Sequence, residues 1–155
     1  MFFARSHIDL HNIRQSVERI GNVSDNVIHF GPVRLGLEAV LEFVPFVGEI
    51  YSAGAGALLL IEGLRARVPL TTLISVVTLI TMRTFIGAFD AIPLVGVAGD
   101  VIAGVFRAHK ISADMIIRAM DNTLYIEGRR GDPAFDDLLS GVRSGSEKRR
   151  VVFLG

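Results

Sequence analysis

The sequence predicts an all-α protein: membrane-associated helical hairpins carrying an internal pseudo-two-fold repeat. Three observations predict it. A short motif occurs twice, as Glu42-Phe43-Val44-Pro45-Phe46-Val47-Gly48 and, 48 residues later, as Asp90-Ala91-Ile92-Pro93-Leu94-Val95-Gly96. Both copies read acid, two apolar residues, Pro, apolar, Val, Gly, and each has a further acid downstream, Glu49 and Asp100. Hydrophobic residues make up 50% of the chain and mean hydropathy is +0.48, with the polar residues gathered in Met1–Arg34 and Arg107–Gly155. The run over about Leu70–Asp90 has a β-branched content that would permit a strand in isolation, but its length and lack of internal turn residues favour a helix. A duplicated helix break in apolar sequence is a mark of pseudo-symmetric membrane units.

Taken in order, residues 6–20 form an amphipathic helix, with Ile8, Leu10, Ile13, Val17 and Ile20 apolar and Arg14, Gln15, Glu18 and Arg19 polar. Gly21-Asn22 is the expected stop, and Gly31-Pro32 marks a turn. A helix follows over about Val33–Val44, ended or kinked by Pro45, because the residue before a proline avoids the α region.

A second helix of the apolar centre starts near Gly48-Glu49 and runs to about Ala66. Its Ser52–Ala57 stretch is weak for an isolated helix, since each glycine costs ~1 kcal/mol against alanine. It suits close backbone contact, as in small-xxx-small pairs such as Ser52 with Gly56. Arg65 and Arg67 make a basic turn before Pro69, which suits a helix start. The third helix covers about Leu70–Asp90, with Arg83 interrupting an uncharged run. After the second break a fourth helix starts near Asp100 and continues through Met120, with Leu124 extending its apolar pattern. Gly128–Pro133 is a linker, Ala134–Leu139 one or two helical turns, and Ser144–Arg150 a polar, disordered stretch. Three segments result: 1–32, an amphipathic helix with its connector; 33–127, the duplicated hairpin domain with its trailing helix; and 128–155, a polar tail.

The charges Glu38, Glu42, Glu49, Glu62, Arg83, Asp90 and Asp100 lie inside the apolar region, and its longest uncharged run falls short of the ~18–20 residues of a simple span. The helices therefore either span with paired charges, dip in as re-entrant hairpins, or form an unusually apolar soluble bundle. If each proline break is a hairpin tip, the basic groups Arg34, Arg65 with Arg67, and Arg107 with His109 and Lys110 share one side. The positive-inside rule makes that side cytoplasmic, giving a bacterial inner-membrane protein with both termini in the cytoplasm.

Glu49 and Asp100 suit helix starts, where an acid meets free N–H groups. Glu42 and Asp90 end helices and need partners, for which Arg34 and Arg83 are the candidates. These residues, with Pro45, Gly48, Pro93 and Gly96, form the candidate polar cluster, either structural or conducting protons or cations between protomers. His7 and His11 share a helix face but lack an evident third ligand, so no metal is expected. No nucleophile elbow, dinucleotide loop or other catalytic set emerges, and balanced charge, 16 basic against 16 acidic, gives no field for nucleic acid. With no cysteine, disulfides and thiolate metal sites are excluded. The expectation is a non-enzymatic protein without cofactor. It acts as a scaffold, assembly factor or accessory subunit, with membrane lipid and a second copy or a larger membrane complex as partners.

Gly36-Leu37-Glu38, Pro45-Phe46-Val47-Gly48-Glu49, Pro93-Leu94-Val95-Gly96, Asp100 and Ala108-His109 together resemble the pattern of a bacterial domain-of-unknown-function family, over about Ser24–Ile117. This chain departs from that pattern in having Glu49 where the family has Asp, and in an insertion before Asp100. The resemblance implies a helical, membrane-associated protein and supplies no activity.

Overall fold

Ser6 and Asp9 start the first helix by capping each other. The Ser6 hydroxyl accepts from the Asp9 N–H at 3.1 Å, and the Asp9 carboxylate accepts from the N–H groups of Arg5 and Ser6 at 2.9 and 3.2 Å. This reciprocal box satisfies donors that a helix start leaves free. The Arg5 N–H, above all, holds the Asp9 carboxyl below the usual carboxylate range. The computed structural model describes residues 2–25, 28–30, 33–35, 47–90, 108–129, 131–145 and 149–155, with the side chains at 24–25, 28–30, 33–35, 47–49, 52, 83–90 and 138 not among those described.

Helix α1 is His7–Asp25. Gly21 does not stop it. A side chain at Gly21 would come within 2.9 Å of the Ala113 Cβ, so the glycine lets two helices touch rather than ending one. Strands β1 (Ile28–Phe30) and β2 (Val33–Leu35) pair antiparallel, with His29 opposite Arg34. This corrects the helix expected from Val33. Ile-His-Phe and Val-Arg-Leu both alternate apolar, basic, apolar, which is strand period, and two residues separate them.

Helices α2 (Val47–Arg65) and α3 (Leu70–Asp90) match the expected second and third helices closely. They form an antiparallel hairpin whose seam is built on glycine: a Cβ on Gly56 would meet Ile80 at 3.1 Å, and one on Gly63 would meet Leu73 at 2.9 Å. The small-residue run thus serves close packing, as its composition predicts. Helix α4 (Ala108–Asp121) packs against α1, α2 and α3. Leu10, Ile13, Val17, Leu59, Leu73, Val76, Ala113 and Ile116 form the common core. Arg14 of α1 reaches both carboxylate oxygens of Asp121, at 2.5 and 3.4 Å. Being exposed, that pair contributes about 1 kcal/mol or less.

Thr123–Ile126 is strand β3, not more helix, because Thr-Leu-Tyr-Ile is β-branched and aromatic. Beyond it come a 3-10 turn at Pro133–Phe135, helix α5 (Asp136–Arg143) and strand β4 (Arg150–Phe153). β4 lies parallel to β3, from Thr123 opposite Arg150 to Ile126 opposite Phe153. The polar tail therefore returns to the body, and Leu154 is only 1% exposed within the core. Among the described residues the fold is mostly helical with two small two-stranded sheets.

The α2–α3 turn binds the hairpin to this body. Arg67 adopts φ 52, its N–H donates to the Leu64 carbonyl, and the Val68 N–H donates to the Gly63 carbonyl. This is a Schellman ending, with arginine in the left-handed position that glycine usually takes. The Ala4 N–H donates to the Arg65 carbonyl at 3.0 Å, the Tyr125 hydroxyl to the Ala66 carbonyl at 2.7 Å, and the Arg150 guanidinium to the Arg67 carbonyl at 2.7 Å. Burial pushes the Tyr125 phenol above its ordinary value.

Tyr125→Phe strands the Ala66 carbonyl, and urea unfolding should show a loss of about 1–2 kcal/mol. The phenol's folded pKa is raised, so its contribution is complete below the ordinary tyrosine value of ~10 and is lost as pH climbs above it. Wild-type stability should fall more steeply on that alkaline limb than the variant's.

Candidate functional site

Helices α2 and α3 turn one face toward α4 and the other away from it. On α2 the inward positions are Ala55, Leu59, Glu62 and Gly63, with Ala66 buried just after its end, and on α3 they are Leu73 and Val76. The outward positions recur at helical spacing: Ile50, Ala53, Ala57, Leu58, Ile61 and Leu64 on α2, and Leu70, Ile74, Val77, Thr78, Thr81 and Met82 on α3. Ile50 is 72% exposed, Leu70 70%, Ile74 56% and Leu58 51%. No charged residue occurs between Ile50 and Ile61 or between Leu70 and Met82. Eight large apolar side chains lie open along this flank: Ile50, Leu58, Ile61, Leu64, Leu70, Ile74, Val77 and Met82. A contiguous exposed apolar surface of this kind marks a contact site.

Two hydroxyls on the flank are withdrawn. The Ser75 hydroxyl donates to the Thr71 carbonyl at 3.0 Å and the Thr78 hydroxyl to the Ile74 carbonyl at 2.9 Å. Such bonds one turn back satisfy the hydroxyl within its own helix, so no outside donor or acceptor is required. Glu62, the acid nearest the inner face, pairs with Arg65 at 2.8 Å.

Among the described residues no helix is long and apolar enough to cross a membrane. The expectation of transmembrane helices is corrected to that extent, and charge placement gives the reason. The uncharged run from Leu70 to Met82 extends ~20 Å at 1.5 Å per residue, against a hydrocarbon layer of ~30 Å.

Most of the expected polar cluster lies outside the described residues and side chains. Glu42, Pro45, Pro93, Gly96 and Asp100 lie outside the described residues. Gly48 and Glu49 fall in the first turn of α2, where an acid suits the helix dipole. Arg83 lies within α3 and Asp90 is its last residue, while Arg34 is central in β2. Their side chains are not among those described, so the Glu42 and Asp90 pairings fall outside this description. The arms before the two breaks differ in backbone: Arg34 is on a strand and Arg83 on a helix. His11 engages Gln15 at 2.8 Å, and the backbone N–H of His7 donates to Glu127. Among the described residues no three His, Cys, Asp or Glu gather as metal ligands.

Sequence reasoning did not single out the outward flank, because a helix apolar on every side announces no face; contact with α4 selects it. Nor did it single out Ser112, which is fully buried on α4 beside His109 and whose hydroxyl has no hydrogen-bond partner among the described residues.

The model of a domain-of-unknown-function family, DUF4112, matches residues 13–120, and the chain belongs to that family. The match runs from α1 to the end of α4 and leaves β3, α5 and β4 outside. No curated protein and no solved structure matches the chain.

An unpartnered buried hydroxyl destabilises the fold, so Ser112→Ala should be neutral or raise stability by up to about 1 kcal/mol in thermal unfolding. A clear loss would mean that the hydroxyl serves a partner.

Proposed function

We propose that this member of the DUF4112 family is a monotopic membrane protein, with the outward flank of the α2–α3 hairpin immersed in lipid and the α1, α4 and β3–β4 body in water. The observation that carries this reading is the uncharged flank itself: two helices side by side, open along their length, without an acidic or basic residue between Ile50 and Ile61 or between Leu70 and Met82. The back-bonded Ser75 and Thr78 hydroxyls support it, because in lipid every polar group must be satisfied within the protein.

The energetics support partial immersion rather than crossing. Covering eight half-exposed side chains at about 1 kcal/mol each yields on the order of 8 kcal/mol, enough to hold a domain on a bilayer without a span. Placing the hairpin in the interfacial layer keeps Glu62 and Arg65 near the surface, which avoids the cost of charge at the bilayer centre. The basic groups support the cytoplasmic side of a bacterial inner membrane. The water-facing body then serves as a platform, in a scaffold or accessory role.

Flotation with vesicles of phosphatidylethanolamine and phosphatidylglycerol tests this reading. The wild type should float. Leu58→Asp/Ile74→Asp alters only exposed positions, so its circular dichroism should be unchanged. It should float at least tenfold less, since an acid buried in the membrane costs about 2.5–3.5 kcal/mol at its centre. A wild type that stays unbound and sediments as a discrete detergent-free dimer would replace the lipid by a second copy.

A further inference from the structure

At the α2–α3 turn, Arg65 and Arg67 meet Arg150 of β4, and the chain start brings Arg5 within one residue of a backbone contact to the turn. The Ala4 N–H bonds the Arg65 carbonyl, with Arg5 next along the chain, and Arg150 donates to the Arg67 carbonyl. Arg65 donates to the Phe2 carbonyl at 3.3 Å, and the Arg67 guanidinium lies 5.3 Å from the centre of the Phe3 ring. Phe2 and Phe3 meet edge to face at 5.3 Å, each half exposed. Leu64 and Leu70 open to the surface at the same end.

Acids stand here too. Glu62 pairs with Arg65, while Asp9 accepts from the backbone N–H groups of Arg5 and Ser6 and Glu127 from that of His7, bonds that neutralise no charge. Arg67 and Arg150 donate instead to carbonyls, those of Phe153 at 2.6 Å and Arg67 at 2.7 Å. A guanidinium bonded to a carbonyl keeps its full charge and has further N–H groups to offer. Basic groups, an open aromatic pair and the end of an uncharged flank thus occupy one corner. Arginine takes phosphate oxygens in its planar fork, aromatic rings settle at the headgroup boundary, and the apolar flank suits the acyl layer.

We propose that this corner binds the phosphodiester headgroups of anionic phospholipids, with Arg5, Arg67 and Arg150 at phosphate level and Phe2 and Phe3 just beneath. The proposal rests on the membrane-contact reading and adds to it a lipid preference and an orientation, with the α2–α3 turn held at the headgroups.

Flotation of the full chain should be compared on vesicles of phosphatidylcholine alone and on vesicles of equal parts phosphatidylcholine and phosphatidylglycerol, at low and high salt. Binding should be stronger on the anionic vesicles, and the difference should shrink with salt as charges are screened. Arg5→Gln, which leaves the backbone contacts of the corner in place, should weaken anionic binding by about fivefold and leave neutral binding unchanged. Arg150→Gln should do the same, with its fold checked by circular dichroism. Equal, salt-insensitive binding to both vesicles would overturn the headgroup proposal while leaving the apolar flank in lipid. Binding to neither would overturn both.

Discussion

Three consecutive backbone carbonyls hold this protein together. Those of Arg65, Ala66 and Arg67 emerge at the end of α2, where a helix leaves its last acceptors without internal partners. Each is met from a different part of the chain: by the N–H of Ala4, the hydroxyl of Tyr125 on β3 and the guanidinium of Arg150 on β4. The start of the chain, the strand after α4 and the returning C-terminal strand are all fastened to one turn. The left-handed residue that shapes the turn is Arg67, for which this conformation costs roughly 1 kcal/mol. Its side chain offsets that cost through the Phe153 carbonyl and the Phe3 ring, neither of which glycine could reach.

The turn therefore joins two unlike halves. On one side are α1, α4 and the β3–β4 pair, with ion pairs such as Arg14–Asp121 and a capped helix start. On the other is a hairpin whose outer surface carries no charge between Ile50 and Ile61 or between Leu70 and Met82. Amphipathicity here belongs to the domain more than to the individual helix. Neither α2 nor α3 has a polar face of the usual width; one side packs on α4 and the other is left apolar. Glycines at the seam bring the two helices close enough to act as a single slab.

How much of this is legible in the sequence depends on whether local chemistry or distant contact decides the element. The bounds of α2 and α3 follow from Gly48-Glu49, the basic turn and Pro69, which act locally. Gly21 is read as a stop because glycine usually weakens a helix; the Ala113 surface that needs it is far away in sequence. The β1–β2 hairpin is masked by short apolar runs that suit either period. The pairing of β3 with β4 cannot be inferred from either strand alone, since parallel partners require a crossover. The candidate site divides in the same way. The apolar centre and its arginine turn are legible, whereas the outward flank and the corner where Arg5 and Arg150 join the turn exist only through tertiary contact. The acids of the Pro-x-Val-Gly motifs remain a sequence feature, since their side chains lie outside the described residues.

The chain contains no cysteine, so single cysteines can carry a polarity-sensitive fluorophore without background. Placed at Leu58, Ile74 and Val77 on the flank, and at Glu18 and Arg118 on the body, such probes report each face separately. The account predicts that vesicles shift the three flank probes to the blue and expose them to quenchers carried on acyl chains, while the two body probes keep their aqueous emission. Five probes that respond alike, or flank probes whose emission is the same with and without vesicles, would contradict it.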